Sequence, residues 1–198
     1  MKKIAIDIVI IPPENIIEKC IALNNSSKIR KFQLWKNDFV PHISLTLLGI
    51  YEKNLNTITK IISQVDVEPF PIYLTWIGSV KKEKWDYHII HINTSEKLKE
   101  LHKYITQETL AYFEKADTPE MIVAWKETWW NESSKKWINN FYTEHSFEKY
   151  KPHITLWCYN LNTPLIDEFP IKFYASKICV FQVWNSNTCR KLLWEKNI

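Results

Sequence analysis

The sequence predicts an α+β fold of two related lobes that face one another across a groove. Three observations predict it. The frames PHISL at residues 41–45 and PHITL at 152–156 take two of only six histidines. Each frame alternates apolar and polar residues as a half-buried strand does. Each also follows a helical stretch and precedes a pair of strands, so the order of elements recurs along the chain. With 198 residues and 45% hydrophobic content, the sequence reads as one bilobal domain over 1–198, its halves meeting near residue 94 (1–94 and 95–198).

Residues 3–11, rich in isoleucine and valine, read as a buried strand. Pro12 and Pro13 then start a helix over about Glu14 to Leu23, which Asn24 to Ser27 break. An extended piece over Ile29 to Trp35 leads to the first motif strand at about 40–48. Ile58, Ile61, Ile62 and Val65 share one face of a helix over 54–65. Strands over 70–80 and 85–93, joined by the charged turn Lys81 to Lys84, form a hairpin. Ser95 is placed to cap a helix that reaches Phe113, with Leu98, Leu101, Ile105 and Tyr112 at helical spacing. Residues 115–149 hold Trp125, Trp129, Trp130 and Trp137 among polar and charged residues, and read as an insertion without an assigned structure. The second motif strand spans 151–158. Strands over 169–183 and 188–195, turning at Asn185 to Asn187, complete the chain.

Composition excludes several classes. With two glycines, Gly49 and Gly78, the chain lacks the clustered glycines that dinucleotide and phosphate loops need to bring backbone N–H groups onto phosphate. Cys20, Cys158, Cys179 and Cys189 contain no CxxC pair, so free thiols are expected in place of a disulfide framework or structural zinc site. A net charge of +4, with both signs interspersed, does not mark a membrane-surface or genome-coating protein. Asp7, Pro12 and Pro13 interrupt the apolar start, and no apolar run reaches the roughly 18 residues of a membrane span. A cytoplasmic, monomeric protein is the expectation.

Residues i and i+2 of a strand share a face. His42, Ser44 and Thr46 are therefore expected on one side and Ile43, Leu45 and Leu47 on the other, and likewise His153, Thr155 and Trp157 against Ile154 and Leu156. Apolar side chains face the core, leaving two imidazoles and two hydroxyls in the groove. Imidazole has an unperturbed pKa of about 6.5, so one ring can take a proton while the other gives one, each contributing about 10²- to 10⁴-fold. Ser44 and Thr155 can donate hydrogen bonds to phosphoryl oxygens as charge builds there.

These paired strands resemble the two His-x-Ser/Thr signatures of the two-histidine (2H) phosphoesterase superfamily. The resemblance covers most of the chain in element order, except 115–149. It implies antiparallel sheets around a pseudo-two-fold groove with helices outside, and metal-independent phosphodiester chemistry without a cofactor. His42 and His153 would be the acid/base pair, and Ser44 and Thr155 the phosphate-binding hydroxyls. The expected substrate is a nucleotide or RNA phosphodiester: a 2′,3′-cyclic phosphate, a 2′,5′ linkage or a cyclic oligonucleotide. A nucleotide- or RNA-binding module without turnover is the alternative. Trp157, Tyr51, Trp130 and Trp184 are candidates for stacking on a base or lining the groove. His88 and His91 lie three apart in a strand, on opposite faces, and read as sheet histidines without a metal. His102, beside Lys103 on a helix, reads as a solvated surface residue, and His145 as one that could approach the groove.

Overall fold

The structure, a computed structural model, describes residues 1–81, 86–123, 131–161 and 169–198. Ten strands and four helices run through them in the order β1 (Lys3–Ile10), α1 (Glu14–Ser26), β2 (Ile29–Arg30), β3 (Ile43–Tyr51), α2 (Leu55–Ser63), β4 (Phe70–Val80), β5 (Tyr87–Ile92) and α3 (Glu96–Thr109), then α4 (Glu132–Glu144), β6 (His153–Thr155), β7 (Cys158–Tyr159), β8 (Ile171–Ala175), β9 (Lys177–Val183) and β10 (Cys189–Asn197). The first sheet has the order β10-β9-β1-β3 and the second β6-β5-β4-β8, with all pairs antiparallel; β2 and β7 form a small ribbon. The α+β class and antiparallel sheets expected from the sequence are present.

The two sheets correspond under an approximate two-fold: β3 matches β6, β1 matches β5, β9 matches β4 and β10 matches β8. In each, the motif strand is an edge. Each sheet also takes two strands from residues 1–94 and two from 95–198, so the lobes are interleaved along the chain. The stretch 169–183, expected as one strand, is two strands separated at Ser176, one in each sheet. This crossing stitches the lobes together. One core joins Ile4, Ile6, Ile8 and Ile10 of β1 to Leu74, Ile90 and Ile154 of the other sheet, with Ile16 and Leu23 of α1, Ile58 and Ile62 of α2, and Leu98, Leu101 and Ile105 of α3 packed into it. Burying a side chain of this size contributes about 1.5–3 kcal/mol.

Described residues from within 115–149 cover part of the other face of the first sheet. Ala116, Met121, Ile122, Ile138 and Phe141 cover Ala5, Leu47 and Val183 there. Their α4 begins where Asn131 Oδ1 accepts the Ser134 N–H at 2.7 Å. Trp125, Trp129 and Trp130, and most of the turn after Lys81, lie outside the described residues. Two further differences from the sequence reading concern α1 and α3. The first runs three residues past Leu23, because Asn24 is buried and its amide serves the loop behind it. The second stops at Thr109 and tightens into a 3-10 turn over Leu110–Tyr112, although Ser95 Oγ does cap its start, 3.3 Å from Leu98 N. All four cysteines are free and buried. Among the described residues, no helix is long and apolar enough to cross a membrane.

Candidate active site

The motif histidines share one local geometry. Val40 O accepts the Nδ1–H of His42 at 2.6 Å, and Lys151 O that of His153 at 2.9 Å. In each case the acceptor is the carbonyl two residues upstream, which assigns the proton to Nδ1 and leaves Nε2 with its lone pair. Apolar neighbours on the strand, Ile43 and Leu45 in one motif and Ile154 and Leu156 in the other, are buried in the common core. His42, Ser44, His153 and Thr155 are only partly buried, as the alternation predicts.

Alternation then fails beyond Leu45. Ile8 pairs with Thr46 and Val9 with Ser44, so Leu45 is an extra residue in β3. The bulge flips every later side chain: Leu48 and Ile50 reach the common core, and Leu47 turns to the face covered by α4. Thr46, expected beside His42 and Ser44, is buried instead.

Bulge and motif are fixed from behind by buried polar side chains. His102 donates from Nδ1 to Leu45 O at 2.6 Å, accepts the Phe147 N–H at Nε2 at 2.9 Å, and stacks on Tyr150 with ring centroids 3.8 Å apart. It is 1% exposed, so the surface reading is overturned. A lysine neighbour in sequence says nothing about which helix face a residue occupies, and His102 sits one position past Leu101 on the buried face. Asn24 does the same for the second motif: its Nδ2 donates to Leu156 O at 2.7 Å and Phe32 O at 3.0 Å, and its Oδ1 accepts from Leu34 N at 3.1 Å. Leu45 and Leu156 each lie three residues beyond their motif histidine. The two-fold thus extends to the supports, although an imidazole stands on one side and an amide on the other.

Asp7 is the group that the sequence reading passed over. It lies on β1, 1% exposed, in a run of isoleucine and valine. Ser44 Oγ is 2.7 Å from its Oδ2, His42 Nε2 is 3.6 Å from the same oxygen, and Oδ1 has no hydrogen-bond partner. Burial raises its pKa well above the usual carboxylate range, against a smaller lowering by Ser44. Burial also pushes His42 down to about 4, with the Val40 carbonyl opposing and the charge of His153 assisting. His153 is lowered too, chiefly by burial, with help from His91 and His145. Both motif imidazoles are therefore neutral at pH 7. An unpaired acid inside an apolar strand was the sequence signal for Asp7, and it is the same residue that breaks the apolar start.

The row that begins at His153 continues across the second sheet. His91 pairs with His153 and Trp76 with His91. The rings of Trp76 and His91 stack with centroids 3.8 Å apart, and Trp76 remains 55% exposed. Gly78 makes this possible: a Cβ there would stand 2.5 Å from His91 Nε2 and 2.7 Å from Trp76. His88 stacks on Tyr159 and contacts Ser79, so the two sheet histidines have separate partners. His145 stacks on Trp137 with centroids 3.7 Å apart, and its charge adds a little to the lowering at His153.

The aromatic candidates separate. Trp157 has a left-handed backbone, φ 51°, and leaves the strand that ends at Thr155. It meets Phe32 edge-on at 5.2 Å and Tyr87 at 5.3 Å. Trp184 joins the same cluster through Phe32 and Phe39, with the Arg190 guanidinium over its ring at 5.1 Å and Lys31 Nζ over Trp157 at 5.3 Å. Tyr51 is the last residue of β3, nine residues from His42, and is not brought to the motifs. Trp130 lies outside the described residues.

No family model and no curated protein matches the chain. Solved structures do. Escherichia coli LigT complexed with 3′-AMP aligns at TM-score 0.62 and 11% identity over 100% of this chain and 99% of that one, and LigT complexed with NADP+ at 0.61 over the same shares. TT0787 of Thermus thermophilus aligns at 0.60 and 12% identity, over 98% and 97%. Matching motif strands on corresponding sheet edges, within a fold shared end to end with LigT, give this chain the fold of the two-histidine phosphoesterases that its paired signatures resemble.

Proposed function

We propose that the chain is a metal-independent phosphodiesterase acting on a nucleotide or RNA phosphodiester, with His42 and His153 as the acid/base pair. One observation carries the reading: both imidazoles are locked by a backbone carbonyl at Nδ1, leaving two equivalent Nε2 atoms available for proton transfer. Binding alone would not call for two such groups. LigT structures holding 3′-AMP, ATP and NADP+ support a nucleotide as ligand.

His42, held neutral by burial, takes the proton from water or a ribose hydroxyl as its oxygen attacks phosphorus. His153, protonated once an anionic phosphate offsets its desolvation, gives its proton to the departing oxygen. Thr155 donates to a non-bridging oxygen. Ser44, whose O–H donates to Asp7 Oδ2 at 2.7 Å, can turn that donor to a second non-bridging oxygen. Trp76 keeps one face open, and a base stacked there is held by about 1–3 kcal/mol. Trp76→Ala is expected to raise KM and leave kcat within about twofold, by the usual reading of lost uniform binding; an unchanged KM removes the stacking role.

The test is turnover of 2′,3′-cyclic nucleotides, 2′,5′-linked dinucleotides and cyclic oligonucleotides in excess EDTA. His42→Ala and His153→Ala are each expected to lower kcat by about 10²- to 10⁴-fold. Since kcat/KM needs a neutral His42 and a protonated His153, it should rise through about pH 4 and fall again below the ordinary imidazole value of 6.5. Tight nucleotide binding with no turnover on any substrate would leave the binding-module reading in its place.

A further inference from the structure

We infer that Asp7, His42 and Cys189 form a zinc site that takes His42 out of proton transfer, an inhibitory metal switch at the heart of the proposed active site. One ligand atom from each of the three lies within 4.8 Å of the other two. Bonds of about 2.0–2.3 Å set donors roughly 3.3–3.7 Å apart around tetrahedral zinc, so the widest pair needs to close by at most about 1.5 Å. His42 Nε2 and Asp7 Oδ2 already stand 3.6 Å apart.

Four details favour a metal over accidental crowding. The Val40 carbonyl on Nδ1 aims the lone pair of Nε2 at the other donors, the outer contact that metal-ligating histidines commonly have. Asp7 Oδ1 is a buried oxygen without a hydrogen-bond partner, which a cation would satisfy. The three donors come from β1, the approach to β3 and the start of β10, and the last two are joined by the Val40 N–H to Cys189 O bond of 3.3 Å. Finally, sulfur, imidazole nitrogen and carboxylate oxygen together suit zinc and not magnesium, which takes oxygen ligands. Binding displaces the carboxyl and thiol protons, oxidises nothing, and leaves a fourth position open to water or a substrate oxygen. A zinc-bound Nε2 has no lone pair to accept a proton.

Because the inhibitory half rests on the proposed function, the experiment reads binding and turnover separately. Co2+ serves as a spectroscopic stand-in, and Zn2+ affinity is measured by competition with a chromophoric chelator, in wild type, Cys189→Ser and Cys189→Ala. A thiolate-to-cobalt charge-transfer band is expected in wild type and absent from both variants. Zinc affinity should fall by more than the about 10- to 100-fold that loss of an outer contact causes. No such band in wild type, or equal zinc affinity in wild type and folded variants, overturns the site. In the turnover arm, Zn2+ should abolish activity, EDTA should restore it, Mg2+ should have no effect, and Cys189→Ser should resist. Zinc binding that leaves turnover intact overturns the switch. A wild type that binds zinc through Cys189 but cleaves no substrate refutes the phosphodiesterase instead.

Discussion

A buried carboxyl beside a hydroxyl and an imidazole can exist for stability or for chemistry, and pH separates the two. The pKa of Asp7 is raised in the fold, so its contribution to stability is fully present below its unfolded value near 3.8 and is lost as pH rises through the folded value. The histidines act in the opposite sense. His42, at about 4 in the fold against 6.5 unfolded, contributes stability above 6.5 and loses it as pH falls towards 4. Asp7→Asn keeps the shape, can donate to Ser44, and cannot ionise. Thermal melts should therefore show the variant gaining on wild type as pH is raised from 4 to 8, by about 2–4 °C in Tm for each kcal/mol of ionisation cost removed. An equal difference at both ends would mean that Asp7 keeps its proton throughout. If Asp7 matters only to stability, kcat stays with the stabilised variant; if it orients Ser44, kcat changes although the fold is firmer. His42, Ser44, His153 and Thr155 can be proposed from the sequence because the repeat names them. Asp7 and Cys189 cannot, since single residues in β1 and β10 carry no spacing that links them to a motif far away in the chain.

Among the elements, the two edge strands need help that their own hydrogen bonds do not give. β6 is three residues long and β3 is bulged at Leu45, yet each must hold an imidazole steady. The answer is a polar side chain from a helix behind: His102 of α3 for β3, and Asn24 of α1 for β6. Asn24→Ala removes the partners of Leu156 O, Phe32 O and Leu34 N, buried or half-buried groups that cost about 1–3 kcal/mol each when left unpaired. A destabilisation of about 2 kcal/mol or more in urea melts is expected, together with a lower kcat, because the Trp157 turn and His153 strand are no longer tied down. A loss of stability with kcat unchanged would show that the amide holds the loop and not the site. Helices and hairpins were readable from periodicity because burial imposes it. The bulge was not, since one extra residue in a strand leaves the apolar pattern of LTLLGI consistent with either face, and the end of α1 was not, because an asparagine that breaks a helix and one whose buried amide anchors a loop look alike in sequence.

The architecture of the whole molecule decides how it comes apart. Two lobes, each bearing one motif, suggest two units that fold and melt on their own. The strand orders argue otherwise. Neither sheet can form from residues 1–94 alone, because β9, β10, β6 and β8 come from the second half, and neither can form from 95–198, which lacks β1, β3, β4 and β5. The common core has the same property, drawing on α1 and α2 from one half and α3 from the other around both sheets. Cutting the chain at residue 94 thus takes a partner from every inner strand and exposes the long row of unpaired backbone groups that an isolated edge presents. The intact protein should unfold in one step, with tryptophan fluorescence and far-ultraviolet circular dichroism following the same curve. Fragments 1–94 and 95–198 should each lack a cooperative transition alone, yet recover one on mixing, since the contacts they share are the sheets themselves. Separate transitions in the intact chain, or a fragment that melts cooperatively by itself, would mean that each lobe is autonomous and that His42 and His153 are joined only by a movable interface. A single transition ties both motif strands to global folding, so that any variant weakening one motif's sheet also lowers the population in which the other is folded.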